Sequence, residues 1–182
     1  GRVFRGGVQI ATLDPFGGYK NAIDDHLADA TAVVDAFHVV KLATACVDDV
    51  RRRVQQDTTG HRGRRGDPLY GIRTLLRAGV ENISDRQRAR LTAAFTAHEA
   101  HVEVELAWQV AQDVRALFHA PTPAVGRAAA RRLLEILPTS PIAEVRRLGR
   151  TLKRWSEPLL AYFDTDGASN GCLLYTSPSP RD

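Results

Sequence analysis

The sequence predicts an α/β segment followed by an all-α segment, on three observations. Two short apolar runs rich in β-branched residues, "VQIATLD" and "ATAVVD", each end in an aspartate and read as buried strands. The stretch between them has the apolar spacing of a helix. Beyond Phe37 every further apolar periodicity follows the 3.6-residue repeat of helices.

In order, the first strand is expected over 8–13 and runs into "DPFGG", which is turn chemistry. "GYKNAIDDHL" follows, with Tyr19, Ala22, Ile23 and Leu27 at helical spacing. The second strand is expected over 30–34. Strand, helix and strand imply a right-handed crossover and a parallel sheet. Asp14 and Asp35 then stand at carboxyl ends of strands, where open α/β sheets place their chemistry.

Phe37, Val40, Ala43, Val47, Val50 and Val54 form one stripe of a long helix, with Arg51, Arg52 and Arg53 on its polar side. "DTTGHRGRRGDP" breaks that helix and predicts a mobile basic loop carrying Arg62, Arg64 and Arg65. "PLYGIRTLLRA" reads as a short helix. "SDRQRARLTAAF" opens with Ser84 and Gln87 in capping-box register. "HVEVELAWQVAQDVRALF" places Val102, Leu106, Val110, Val114 and Leu117 on one face. "AVGRAAARRLLEIL" and "SPIAEVRRLGRTLKRW" complete the series, the last with the stripe Ile142, Val145, Leu148, Leu152 and Trp155.

The chain has 182 residues, 43% of them hydrophobic, which suffices for one sizeable core or a small core plus an inserted subdomain. Net charge is +4, and the clustering of the arginines points to a polyanionic partner or to a solvated helix face. No apolar run is long enough to span a bilayer and no signal peptide is evident, so no membrane association and a cytoplasmic location are expected. Two cysteines make no disulfide framework, and Cys46 reads as a small core residue. The lack of methionine suggests a fragment, and "CLLYTSPSPRD" at 172–182 resembles a translated sequencing-library adapter, expected to pack against nothing.

Several residues are candidates for chemistry. Asp14, followed by Pro15 and two glycines, sits in an open loop where a carboxylate can either cap a turn or join other carboxylates around a hard divalent cation. Asp35 and His38 are three apart, so the carboxylate can cap the helix or orient the imidazole. His98, His101 and Glu103 lack the spacing of a zinc-binding HExxH and read as a solvated helix face. His61, among arginines, reads as a phosphate contact or a bystander.

The ordered set "ATLD", "FHVVKLA", "VRRRVQ", "GHRGR", "DPLYGIR", "AWQ", "LGRTLKRW" and "SNG" resembles the DDE transposases of bacterial insertion sequences, specifically the ISL-three group. The resemblance covers about residues 8–171. It implies a ribonuclease-H-like core, here partial over residues 1–57, with a helical insertion domain over 58–171 before the last acidic residue and a non-native tail over 172–182.

In that family three acids hold two Mg²⁺ ions for cleavage and strand transfer. Asp14 matches the second of them, and Asp35 with His38 matches a companion motif that shapes the site or its DNA contact rather than holding metal. The first aspartate and the final glutamate would lie beyond Gly1 and after "SNG". Zinc-binding and helix-turn-helix regions would also lie outside this chain, which is therefore expected to be inactive alone. DNA is the implied partner, contacted through Arg51, Arg52, Arg53, Arg62, Arg64 and Arg65, with a homo-oligomer possible for the full-length protein. A helical DNA-binding or interaction module, and a divergent ribonuclease-H-like nuclease, are the rival readings.

Overall fold

The computed structural model describes residues 10–13 and 31–165. Two strands, β1 (Ile10–Leu13) and β2 (Thr31–Val34), pair in parallel with Ile10 opposite Thr31 and Leu13 opposite Val34. Parallel pairing of neighbouring strands is the arrangement the two β-branched runs imply. Leu13 and Val34 are thus the paired last residues of the strands. The residues that follow them in sequence are Asp14, which lies outside the described residues, and Asp35. The helix expected around Tyr19 to Leu27 and the 172–182 tail also lie outside them.

The rest is helical. α1 (Ala36–Thr59) leaves directly from β2 and ends at Gly60, whose φ of 75° gives the left-handed cap that a glycine adopts without strain. One-turn α2 (Pro68–Gly71), α3 (Asp85–Thr96), α4 (Val102–Leu117), α5 (Pro123–Ile136), α6 (Ala143–Arg154) and α7 (Ser156–Asp164) follow. Short 3₁₀ turns, Leu75–Arg77, Val80–Asn82, Glu99–His101 and Leu137–Thr139, join them. Ser84 and Gln87 form the capping box that starts α3, with both reciprocal hydrogen bonds made.

One continuous core runs from Val34 through α1 and α4 to Leu159 on α7. α1 packs mainly on α4 and then on α6, while α7 returns to pack on β2. The boundary expected between residues 57 and 58 falls inside α1, and the core crosses it without a gap.

Two buried faces differ from the expected stripes. On α1 the core side is Val39, Ala43, Cys46, Val47, Val50 and Val54, while Phe37 is 67% exposed. Apolar residues occupy two adjoining faces of this helix, and the packing of α4 and α6 selects one of them. On α4 the buried face is Val104, Ala107, Ala111, Val114 and Leu117, so the expected stripe holds at Val114 and Leu117, while Val102 and Leu106 stay largely exposed. Alanines let two helix backbones approach closely, so the small-residue face, not the bulkier one, meets α1. The α6 stripe agrees with expectation: Ile142, Val145, Leu148, Leu152 and Trp155 are all buried.

Candidate functional site

Asp35 stands at the junction between β2 and α1, and its backbone (φ −68°, ψ 122°) is still extended. That conformation lets its side chain turn back onto the helix, and Oδ1 accepts from the Phe37 amide at 3.3 Å. Oδ2 accepts from His38 Nδ1 at 2.9 Å. The carboxylate therefore both caps the helix and fixes Nδ1 as the protonated ring nitrogen. Asp35 is buried, only 7% exposed, whereas His38 keeps partial access to solvent.

A residue far along the chain completes the surroundings. Tyr162 on α7 has its phenol pKa raised, first by burial and then by the negative charge of Asp35. Its ring also meets Phe118 edge-on at 5.0 Å. Nothing in the sequence couples Tyr162 to Asp35; only the return of α7 to β2 does so.

Among the described residues no group of three His, Cys, Asp or Glu side chains is placed to hold a metal ion. Both oxygens of Asp35 already accept hydrogen bonds. The described residues by themselves therefore do not fit a Mg²⁺ site.

The arginines separate into two sets. Arg51 is buried, 4% exposed, with Nη2 2.7 Å from Asp48 Oδ1 and Nη1 on Gln55. Arg53 reaches across to Glu144 (2.7 Å) and Glu103 (2.6 Å). The expectation that all three arginines lie on the polar side of α1 is corrected: Arg51 is buried against Asp48 and Gln55 of its own helix, and Arg53 ties α1 to carboxylates on α4 and α6. Arg52 alone remains largely exposed, paired with Asp48 at 2.8 Å.

Arg62, Arg64 and Arg65 are exposed. Local hydrogen bonds shape the turns of their loop. His61 Nδ1 accepts from the Gly63 amide at 3.2 Å, and Asp67 Oδ2 accepts from the Arg64 amide at 2.6 Å. Gly60, Gly63 and Gly66 all take positive φ, which allows the tight reversals.

The reading of His98, His101 and Glu103 as a solvated face holds for His98, which is exposed, and is corrected for His101. His101 is buried and donates from Nδ1 to the Ala94 carbonyl at 2.7 Å, while His98 accepts from the Ala100 amide. Packing of the Glu99–His101 turn against α3 places the histidine inside. Cys46 is buried as expected, its thiol pushed up to about 12 mainly by burial.

No helix among the described residues is long and apolar enough to cross a membrane. No curated protein and no solved structure matches the chain. A family model described as a transposase, that of the ISL-three DDE type, matches residues 2–173. With nearly the whole length matched, the chain belongs to the ISL-three family of DDE transposases, proteins of insertion sequences that act in DNA transposition.

Proposed function

We propose that this chain carries part of the catalytic face of a transposase, with Asp14 as one of the acids for Mg²⁺-dependent strand cleavage and strand transfer on DNA. The observation that carries the reading is the path of the chain. The helical segment leaves from the carboxyl end of β2 and comes back, through α7, onto that same strand. This path fits a ribonuclease-H-like core interrupted by a helical insertion, the division at 57/58 being one of sequence organisation and not of packing.

Enzymes of this family generally use a divalent metal ion. In this reading Asp14, next in sequence after Leu13, is one member of a metal-holding set of three acids. Asp35 and His38 do not hold metal. Their hydrogen bond sets the tautomer and direction of the imidazole beside the strand ends, and Asp35 fixes the start of α1. Arg52, Arg62, Arg64 and Arg65 supply phosphate contacts; guanidinium groups suit phosphate oxygens and confer no sequence preference by themselves.

The test is a cleavage assay on transposon-end DNA, using a transposase that contains this segment and all three acids. Asp14→Asn keeps the shape and removes the anionic charge, so cleavage should fall by several orders of magnitude while DNA binding persists. Cleavage at the wild-type rate would make Asp14 a turn cap and remove the assignment.

A further inference from the structure

A cavity of about 600 Å³ runs along the open side of α1, beginning at Phe37 beside the Asp35–His38 pair. Its volume lies in the range of small-ligand sites, roughly 300–1,000 Å³. Val40, Thr44 and Ala45 floor it, while Lys41, Arg52, Arg77 and Arg115 bring four cations to its walls.

The two carboxylates on the same wall are already neutralised. Asp48 pairs with Arg51 and Arg52, and Asp49 pairs with Arg147 at 2.7 Å. Lys41, Arg77 and Arg115, by contrast, form no ion pair among the described residues. Arg115 is half-buried; its Nη2 donates to the Arg77 carbonyl at 3.3 Å, and its buried Nε has no hydrogen-bond partner. A site walled by uncompensated cations is electrostatically incomplete and favours an anion.

Phe37 gives the cavity a second character. It is a large aromatic side chain left 67% exposed at the mouth, and His38 meets its ring edge-on at 5.3 Å. An exposed aromatic face beside unpaired cations is the combination by which proteins hold single-stranded nucleic acid: phosphates on the cations, a base on the ring.

We propose that the cavity along α1 walled by Phe37, Lys41, Arg77 and Arg115 binds an unpaired DNA strand, with its phosphates on the three cations and a base stacked on Phe37. The proposal rests on the reading that this chain acts on DNA, and it names where an unpaired strand is held next to the strand-end site.

The experiment measures binding of the 182-residue chain to a labelled thymidine oligomer and to the matching duplex by fluorescence anisotropy over a salt series. Lys41→Ala with Arg77→Ala, both at exposed positions, should weaken single-strand binding at least about tenfold at low salt. The slope of log affinity against log salt should fall by about 0.7 per cation removed. Phe37→Ala should weaken single-strand binding about tenfold with the slope and the duplex affinity unchanged, and Phe37→Trp should restore it.

Unchanged single-strand affinity in Lys41→Ala/Arg77→Ala, with binding lost instead in Arg62→Ala/Arg64→Ala/Arg65→Ala, would overturn the cavity while leaving the DNA reading intact. Equal loss of single-strand and duplex binding in Phe37→Ala would overturn the assignment to an unpaired strand. A wild-type chain that binds neither form at low salt would overturn both the cavity and the DNA reading beneath it.

Discussion

Arg53 on α1 and Glu144 at the start of α6 are 91 residues apart in sequence and 2.7 Å apart in space, Nε to Oε1. The same guanidinium reaches Glu103 on α4 at 2.6 Å. Three helices therefore meet on one cation. The pairing is legible in the protonation equilibria of both partners. Arg53 is held protonated more strongly than an ordinary arginine, chiefly by the hydrogen bond to Glu144. Burial opposes ionisation of Glu144, but the hydrogen bond from Arg53, one from its own backbone amide, and the Arg53 and Arg147 charges outweigh it and lower its pKa.

Glu144→Gln should cost about 1–2 kcal/mol, between the value of an exposed ion pair and that of a hydrogen bond to a charged group. The pH dependence has a definite sign. Because the folded carboxyl titrates below its ordinary 4.5, the contribution is fully present above that pH and is lost as pH falls from it through the lower folded value. Urea denaturation of both chains at neutral and acidic pH checks this: a stability difference that stays constant on acidification contradicts it.

Gly149→Ala should destabilise, against the usual gain of about 0.5–1 kcal/mol for replacing a glycine inside a helix. A Cβ there would overlap the backbone of Leu137 and Pro138, which press on α6. Neither neighbour is a flexible side-chain tip, so the cost should be about 1–3 kcal/mol. Gly71→Ala, where a Cβ meets nothing within 4 Å, is the control and should be neutral or slightly stabilising in the same thermal melt.

Cys46 should be inert to thiol reagents in the folded protein. Burial, then the charges of Glu144 and Asp49, push its pKa up to about 12, so the thiolate is scarce at neutral pH. In a Cys172→Ser chain, which leaves one cysteine, labelling should be slow without urea and should accelerate along the unfolding curve. Labelling in buffer at the rate seen in urea would place Cys46 outside the core.

Asp35→Ala should cost about 0.5–2 kcal/mol through loss of the α1 cap, and Asp35→Asn much less, since an amide oxygen still accepts from the Phe37 amide. Asp35→Asn also removes the charge that adds to burial in raising the Tyr162 phenol. An ultraviolet titration of Asp35→Asn, differenced against the parent chain, should show one tyrosine moving to lower pH. No movement would separate Tyr162 from Asp35.

The strands were legible because β-branched runs ending in an acid have few other uses, and Ile10–Leu13 and Thr31–Val34 lie inside the expected runs. Caps were legible for the same local reason: Ser84 and Gln87 need only each other. Faces were not. α1 and α4 each carry apolar residues on more than one side, and a 3.6-residue repeat states that a helix is amphipathic without saying which neighbour will claim which side. The arginines show the same limit. "RRR" reads as one basic patch, yet Arg51, Arg52 and Arg53 point about 100° apart around the helix and meet three different fates. The cations of the α1 cavity come from three separate elements, and no local pattern groups Lys41 with Arg77 and Arg115.

α1 spans 24 residues without a break, a rise of about 36 Å. The helix thus holds the Gly60 turn and the exposed arginines beyond it at a fixed distance and a fixed angle from Asp35. A sequence change that lengthened α1 by two residues would shift the Gly60 turn by only about 3 Å along the axis but swing it about 200° around it, carrying the exposed arginines to the other side of the helix from Asp35.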